Sequence, residues 1–253
     1  MNAQRGKLSL IGCGPGAVDL LTLRAINHIR EADLVLYDRL VEREVVDLIP
    51  PCTERLYVGK ALGDGGIQQA GLNAAIADAL TAGRHVARLK SGDPMVFGRA
   101  SEEIAVAVNL HAEVEIVPGV TAALSAAADA RIAVTERAEI QSFIVTTGRA
   151  ADADAAPEWA KLLKPGVCIA FYMGVAEAWR IQSTLMAAGV PVSAPVNWVE
   201  RAGRADMRKL ESTLGRLALD AKQTGIANPA ILFVRYPYSL ATAESTRTVP
   251  AAG

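Results

Sequence analysis

No run in the 253-residue chain approaches the roughly 20 consecutive apolar residues of a membrane helix, so no spanning segment is expected. The opening residues, 1–7, lead into a strand too short to be the apolar core of a signal peptide. Cysteine is scarce: Cys13, Cys52 and Cys168 are odd in number and far apart, which fits neither a disulfide framework nor a zinc site. The three histidines, His28, His85 and His111, share no spacing with one another or with the cysteines, so neither a metal nor a histidine-based triad is expected. Neither sign of charge dominates. Twenty-six Lys and Arg face 27 Asp and Glu with no polybasic block, which excludes a nucleic-acid binder that works by charge alone. A soluble, cytoplasmic protein is expected, with no membrane or nucleic-acid partner, in which any anionic ligand is held by a local cluster. Internal repeats and low-complexity segments are also missing.

What is present is apolar material: 51% hydrophobic content over this length is enough for one large α/β unit or two ordinary domains. Strands are expected at 8–11, 34–37, 55–58, 86–90 and 114–117, with helices from about 20 and at 45–48, 68–81 and 99–109. Strands alternating with helices imply parallel pairing and a doubly wound α/β domain over residues 1–118. An alanine-rich helix opens at Pro118-Gly119-Val120-Thr121-Ala122-Ala123. Strands at 142–147, 167–173, 195–200 and 230–235, with helices at 177–188 and 214–222, then form a second α/β domain over 119–238. Residues 61–66 are glycine-rich and read as a mobile loop, residues 150–157 as a surface loop, and 239–253 as a flexible tail.

The chain is organised around residues 86–103. Val86-Ala87-Arg88-Leu89-Lys90 alternates apolar and basic residues as a half-buried strand does, and Ser91-Gly92-Asp93-Pro94 stops it in a tight turn. Arg99, Glu102 and Glu103 follow at helical spacing, so a guanidinium and a carboxylate share a helix face beside the turn. Open α/β sheets bind small molecules outside the carboxyl ends of their strands. Lys60, Lys90, Arg99, Arg131 and Arg137 supply the local positive cluster that a polyanion needs in a neutral protein.

Each motif also has a plainer reading. Gly12-Cys13-Gly14-Pro15-Gly16 after the first strand is compatible with a dinucleotide loop or with a simple tight turn, its spacing being G-x-G-x-G. Asp38 and Lys60 at strand ends are compatible with capping or surface roles, and Arg99 with Glu102 is compatible with an exposed salt bridge. Thr121-Ala122 also reads as a helix cap, and Met173 as core.

Taken together, Gly12-Cys13-Gly14-Pro15-Gly16, Leu36-Tyr37-Asp38-Arg39-Leu40-Val41, Val58-Gly59-Lys60, Ser91-Gly92-Asp93-Pro94-Met95-Val96-Phe97-Gly98-Arg99, Val117-Pro118-Gly119-Val120-Thr121-Ala122-Ala123, Phe171-Tyr172-Met173-Gly174 and Asn228-Pro229-Ala230 resemble the tetrapyrrole (corrin/porphyrin) methyltransferases, most of all their uroporphyrinogen-III branch. The resemblance runs from about residue 7 to 235. It implies two α/β domains with S-adenosylmethionine folded into the cleft between them, S-adenosylhomocysteine as by-product, and a homodimer. Cofactor contacts would fall on Pro15, Ser91, Gly92, Asp93, Val96, Thr121, Ala122, Met173, Ala202 and Ala230. Asp38 and Lys60 match the family's general base and acid, and Arg99, Glu102 and Arg137 its substrate-binding charges. The implied reaction is C-methylation of uroporphyrinogen III at C2 and C7, giving precorrin-2 by way of precorrin-1 for siroheme or cobalamin biosynthesis. The alternatives are methylation of another precorrin or acceptor, or a non-catalytic tetrapyrrole- or S-adenosylmethionine-binding protein.

Three departures stand against the family pattern. The region of Asp64 replaces an expected histidine, Glu136 replaces a histidine before Arg137, and Arg149 replaces a histidine after Gly148. Glu136 puts a carboxylate beside a polyanion site, and Arg149 is the expected compensation.

Overall fold

The computed structural model describes residues 6–59, 69–149 and 157–247. They form two compact units, Met1–Ala122 with Gly203–Ala205, and Ala123–Ala202 with Asp206–Gly253. Lys60, the glycine-rich 61–66 loop with Asp64, residues 150–156 and the last six residues lie outside the described residues.

In the first unit the chain runs β1 (Lys7–Gly12), α1 (Leu23–Glu31), β2 (Leu34–Tyr37), α2 (Arg43–Val46), β3 (Glu54–Tyr57), α3 (Gln69–Thr81), β4 (His85–Lys90), α4 (Ala100–Asn109) and β5 (Glu113–Val117). The strands pair in parallel in the order β3-β2-β4-β1-β5. Two-residue periodicity sends alternate side chains to opposite faces. Leu8, Leu10, Leu36 and Val86 pack with Leu72, Ile76 and Ala107 on one face, while Ile11, Val35, Ala87 and Leu89 pack with Ala25, Ile29 and Val45 on the other. β4 is therefore covered on both faces, and Val86 through Lys90 are all buried. This corrects the half-buried strand expected from its alternation: Arg88 and Lys90 point beneath α4, not into solvent.

The second unit contains α5 (Ala122–Asp129), which begins at the unit boundary, then β6 (Ser142–Thr147), β7 (Val167–Tyr172), α6 (Ala178–Ala187), β8 (Pro195–Glu200), β9 (Arg208–Thr213), α7 (Leu217–Thr224), β10 (Ala230–Tyr236) and α8 (Tyr238–Arg247). Its sheet order is β6-β7-β10-β8-β9, with β6 and β7 parallel and the other pairs antiparallel. The core gathers Phe171, Ile181, Leu185, Trp198, Leu217 and Leu232, and Trp159 stacks edge-on against Phe171 at 4.9 Å.

Two elements depart from the sequence expectation. β9, Arg-Lys-Leu-Glu-Ser-Thr, has no apolar alternation because it is an edge strand largely open to solvent. Residues 239–247, expected in a flexible tail, belong to α8. Its first turn is held from far away in sequence, the Glu139 carbonyl accepting from the Tyr238 N–H at 3.3 Å and the Glu139 carboxylate from the Ser239 N–H at 3.0 Å. That bond holds the Glu139 carboxyl below its ordinary range.

Candidate functional site

Four glycines, Gly12, Gly14, Gly92 and Gly119, weld the carboxyl-end loops of the first sheet. The Gly14 and Gly92 backbones exchange hydrogen bonds at 3.2 and 2.7 Å, and the Cys13 N–H donates to the Lys90 carbonyl at 2.8 Å. A Cβ on Gly12 would stand 2.4 Å from the Gly119 nitrogen, and one on Gly119 would stand 2.3 Å from the Gly92 oxygen, so no larger residue fits at either position. Gly92 itself differs. Its φ of +73° suits glycine, yet an added Cβ would meet nothing nearer than the Ala122 nitrogen, 3.6 Å away. A side-chain methyl there would make only ordinary van der Waals contact with the Thr121-Ala122 backbone. Asp93 braces this edge, one carboxylate oxygen accepting from the Met95 N–H (2.8 Å) and the other from the Gly119 N–H (3.1 Å). Ser91 and Val96 are half-buried beside it, while Pro15 is buried under Gly203, a residue of the same unit. The cofactor positions expected in this half are thus gathered at the carboxyl ends of these strands.

Asp38 follows β2 at the same edge. It is 26% exposed, and its carboxylate accepts from the Leu40 N–H at 2.9 Å and from Arg88 Nη2 at 2.7 Å. Behind it the charges alternate: Arg88 Nη1 donates to the Leu89 carbonyl at 2.6 Å, Arg88 Nε lies 3.6 Å from Glu103 Oε1, and Lys90 Nζ donates to both Glu103 oxygens at 2.8 and 2.9 Å. Glu103 is 1% exposed. Burial and the neighbouring Arg88 charge lower the Lys90 ammonium below its ordinary range. The association of Arg88 and Lys90 with Glu103 was not expected from the sequence. A possible signal was two basic residues two apart in the strand that becomes central, followed by a pair of glutamates. Lys90, expected to face a polyanion, is instead committed to Glu103.

Arg99 and Glu102 meet as expected, Nε to Oε1 at 2.7 Å and Nη2 to Oε2 at 2.8 Å, both side chains exposed. The fork holds the Glu102 carboxyl below its usual range. Glu103, expected on the same face, turns inward. Phe97 and Arg99 both take positive φ, 52° and 53°, on either side of Gly98, so the approach to α4 is a strained turn.

In the second unit Met173 follows β7 with φ 54° and is exposed, while Ala202, after β8, and Ala230, opening β10, are buried. Antiparallel pairing puts all three at one edge of that sheet, where the Arg201 N–H donates to the Pro229 carbonyl at 2.9 Å. Arg137 is elsewhere. It lines a concavity of about 440 Å³ with Thr135, Glu136, Ala138, Ile140 and Gln141, in the loop that enters β6 from its amino end. Glu136 pairs with Arg235 at 2.6 Å. The compensation expected of Arg149 is therefore supplied by a β10 residue far away in sequence.

Two of the three histidines, His28 and His85, also meet in space. At the amino-end edge of the first sheet, Ser9 Oγ lies 3.2 Å from His28 Nδ1 and 2.9 Å from His85 Nε2, and Glu115 bonds His28 at 3.0 Å and Lys7 at 2.8 Å. Ser9 is fully buried on its strand at the end opposite the glycine-welded loops. Among the described residues no group of His, Cys, Asp and Glu could hold a metal, and no helix is long and apolar enough to cross a membrane.

A glycine-lined backbone edge with charged groups at the carboxyl ends of parallel strands, in a chain with a second α/β unit, fits an α/β enzyme acting on small molecules. The sequence profile of the tetrapyrrole (corrin/porphyrin) methylases matches residues 7–218, and the chain belongs to that family. It is 37% identical over 238 residues to siroheme synthase 2 of Yersinia enterocolitica, covering 94% of this chain and 50% of that one. Siroheme synthase of Chromobacterium violaceum is 39% identical over 229 residues, at 90% and 49% coverage. The chain thus spans about half the length of these curated relatives. A uroporphyrin-III C-methyltransferase from Thermus thermophilus, solved with S-adenyl homocysteine, superposes with a TM-score of 0.77 at 31% identity over 90% of this chain and 97% of that one. A cobalt precorrin-4 methyltransferase gives a TM-score of 0.80 at 27% identity, at 91% and 95% coverage.

Proposed function

We infer that the protein methylates uroporphyrinogen III at C2 and C7 with S-adenosylmethionine, giving precorrin-2 by way of precorrin-1. The observation that carries this reading is the match over 97% of the Thermus thermophilus enzyme. The retained Tyr37-Asp38-Arg39-Leu40-Val41 segment, with Asp38 beside the glycine-welded edge, supports it.

Bound S-adenosylmethionine supplies a methyl group already activated on a sulfonium sulfur. Ser91, Gly92, Thr121 and Ala122 offer it a backbone surface for close approach, and Pro15, Asp93 and Val96 shape the rim. Met173, Ala202 and Ala230, at one end of the second unit's sheet, are the family's remaining cofactor positions. Alignment is the main task of the protein, since the acceptor carbon has to sit in line with the methyl in a site closed to water. The proton that the macrocycle loses on methylation would pass to the Asp38 carboxylate. Lys60 is the proton donor on this reading. Arg99, oriented by its fork to Glu102, holds a substrate carboxylate. A homodimer is part of the same reading, and sedimentation equilibrium at the mass of one chain would remove it.

The test is anaerobic incubation with uroporphyrinogen III and labelled S-adenosylmethionine, with methyl groups counted on the product by mass spectrometry. Two methyls support the assignment, and one stops it at precorrin-1. Transfer to a later precorrin but not to uroporphyrinogen III would favour the second reading, which rests on the likeness to the cobalt precorrin-4 enzyme.

A further inference from the structure

Arg88 stands between two carboxylates, Asp38 at the sheet edge and Glu103 beneath it, and bonds only one of them closely. Its Nη2 reaches Asp38 at 2.7 Å, whereas its buried Nε has no hydrogen-bond partner and stays 3.6 Å from Glu103. An unsatisfied buried donor next to an acceptor calls for an explanation. Lys90 supplies one, because it engages both oxygens of Glu103.

We propose that Lys90 is a positioning residue. By occupying Glu103, it keeps the Arg88 guanidinium from closing a fork on Glu103 and so commits it to Asp38. The inference rests on Asp38 being the proton acceptor proposed above, and it gives Lys90 a role other than binding a polyanionic substrate. Without Lys90, the better-desolvated partner for Arg88 is Glu103, 1% exposed against 26% for Asp38, since a guanidinium and a buried carboxylate favour bidentate pairing. Asp38 would then keep only the Leu40 N–H.

The experiment uses Lys90→Met, which keeps the stem and removes the charge, and Lys90→Met with Glu103→Gln, which also removes the competitor. In anaerobic methyl transfer to uroporphyrinogen III, Lys90→Met should lower kcat by about tenfold or more, the cost of a misplaced group, with both KM values little changed. The double variant should return kcat to within about threefold of wild type, because Arg88 again has Asp38 as its only anionic partner. On an Asp38→Asn background, Lys90→Met should add no more than about a twofold loss. Crystal structures give a readout independent of activity, with the guanidinium on Glu103 in Lys90→Met and back on Asp38 in the double variant.

A Lys90→Met variant that raises KM for the porphyrinogen and is not rescued by Glu103→Gln overturns the proposal, as does a guanidinium that stays on Asp38 in the single variant. If the single variant does not fold, the double variant, which leaves no buried charge unpaired, decides alone: a kcat as low as that of Asp38→Asn overturns the inference. Wild-type protein that transfers no methyl refutes the proposed function instead, and the crystal structures still test the role of Lys90.

Discussion

A positive φ with room beside it separates Gly92 from its neighbours, because strain and steric clash can be tested apart there. Gly92→Ala places a side chain at φ +73°, with its methyl meeting nothing nearer than 3.6 Å. The stability cost should be only the left-handed penalty of ~1–2 kcal/mol, read from urea unfolding. Affinity for S-adenosylhomocysteine should fall much further, since the methyl takes up space the ligand needs; calorimetry showing unchanged affinity would remove Gly92 from the site. Arg99 gives the complementary case. Both partners of its fork are exposed and nothing buried depends on them, so Arg99→Ala should leave stability and cofactor affinity nearly intact. Porphyrinogen binding should weaken about 10- to 100-fold, as expected for the loss of a charged hydrogen bond to a substrate carboxylate. Equal loss of both ligands would refute the assigned role.

The elements carrying most weight are the two ends of the central parallel strands. At the carboxyl end, β4 offers Arg88 and Lys90 to Glu103 of α4. Lys90→Met leaves Arg88 as the one cation for two carboxylates, so it should be less stable than the double variant with Glu103→Gln, in which Arg88 and Asp38 are again a matched pair. The urea midpoints of the two proteins check this. At the amino end, His85 donates through Nδ1 to the Glu31 carbonyl and accepts at Nε2 from Ser9. Burial, the first cause, holds it below its ordinary value of 6.5. The unfolded chain therefore takes up the proton first as pH falls, and stability drops from near pH 6.5 until the folded state also protonates. His85→Gln should flatten that part of the stability–pH curve, measured by denaturant titration between pH 7 and 5; an unchanged slope would show that His85 is not its source.

For the whole molecule, ligand linkage is the simplest readout. S-adenosylhomocysteine at a hundredfold excess over its Kd should add ~2.7 kcal/mol, which for a chain of this size raises Tm by about 5–10 °C. NAD should give no shift. If the pattern is reversed, Gly12-Cys13-Gly14-Pro15-Gly16 is a dinucleotide loop after all. Two α/β units, most of their strands and the glycine turns were legible from periodicity and punctuation, because those signals are local. β9 and the first turn of α8 were not. An edge strand has no buried face to write an alternation, and α8 is held by Glu139, about a hundred residues earlier.

The sequence by itself determined where strands stop and small residues begin, and hence that Ser91, Gly92, Asp93, Thr121 and Ala122 would gather at strand ends; chain order and two-residue periodicity are enough for that. Only the tertiary structure decided which charges are partners. Layering helices on both faces of β4 buried Arg88 and Lys90, which a one-sided strand would have exposed, and left Glu103 as their shared counter-charge while Glu102 stayed outside with Arg99. Sheet register brought Arg235 to Glu136, and Ser9 to both His28 and His85. A buried charge has to find its opposite wherever the fold puts one, and spacing along the chain carries no record of that distance.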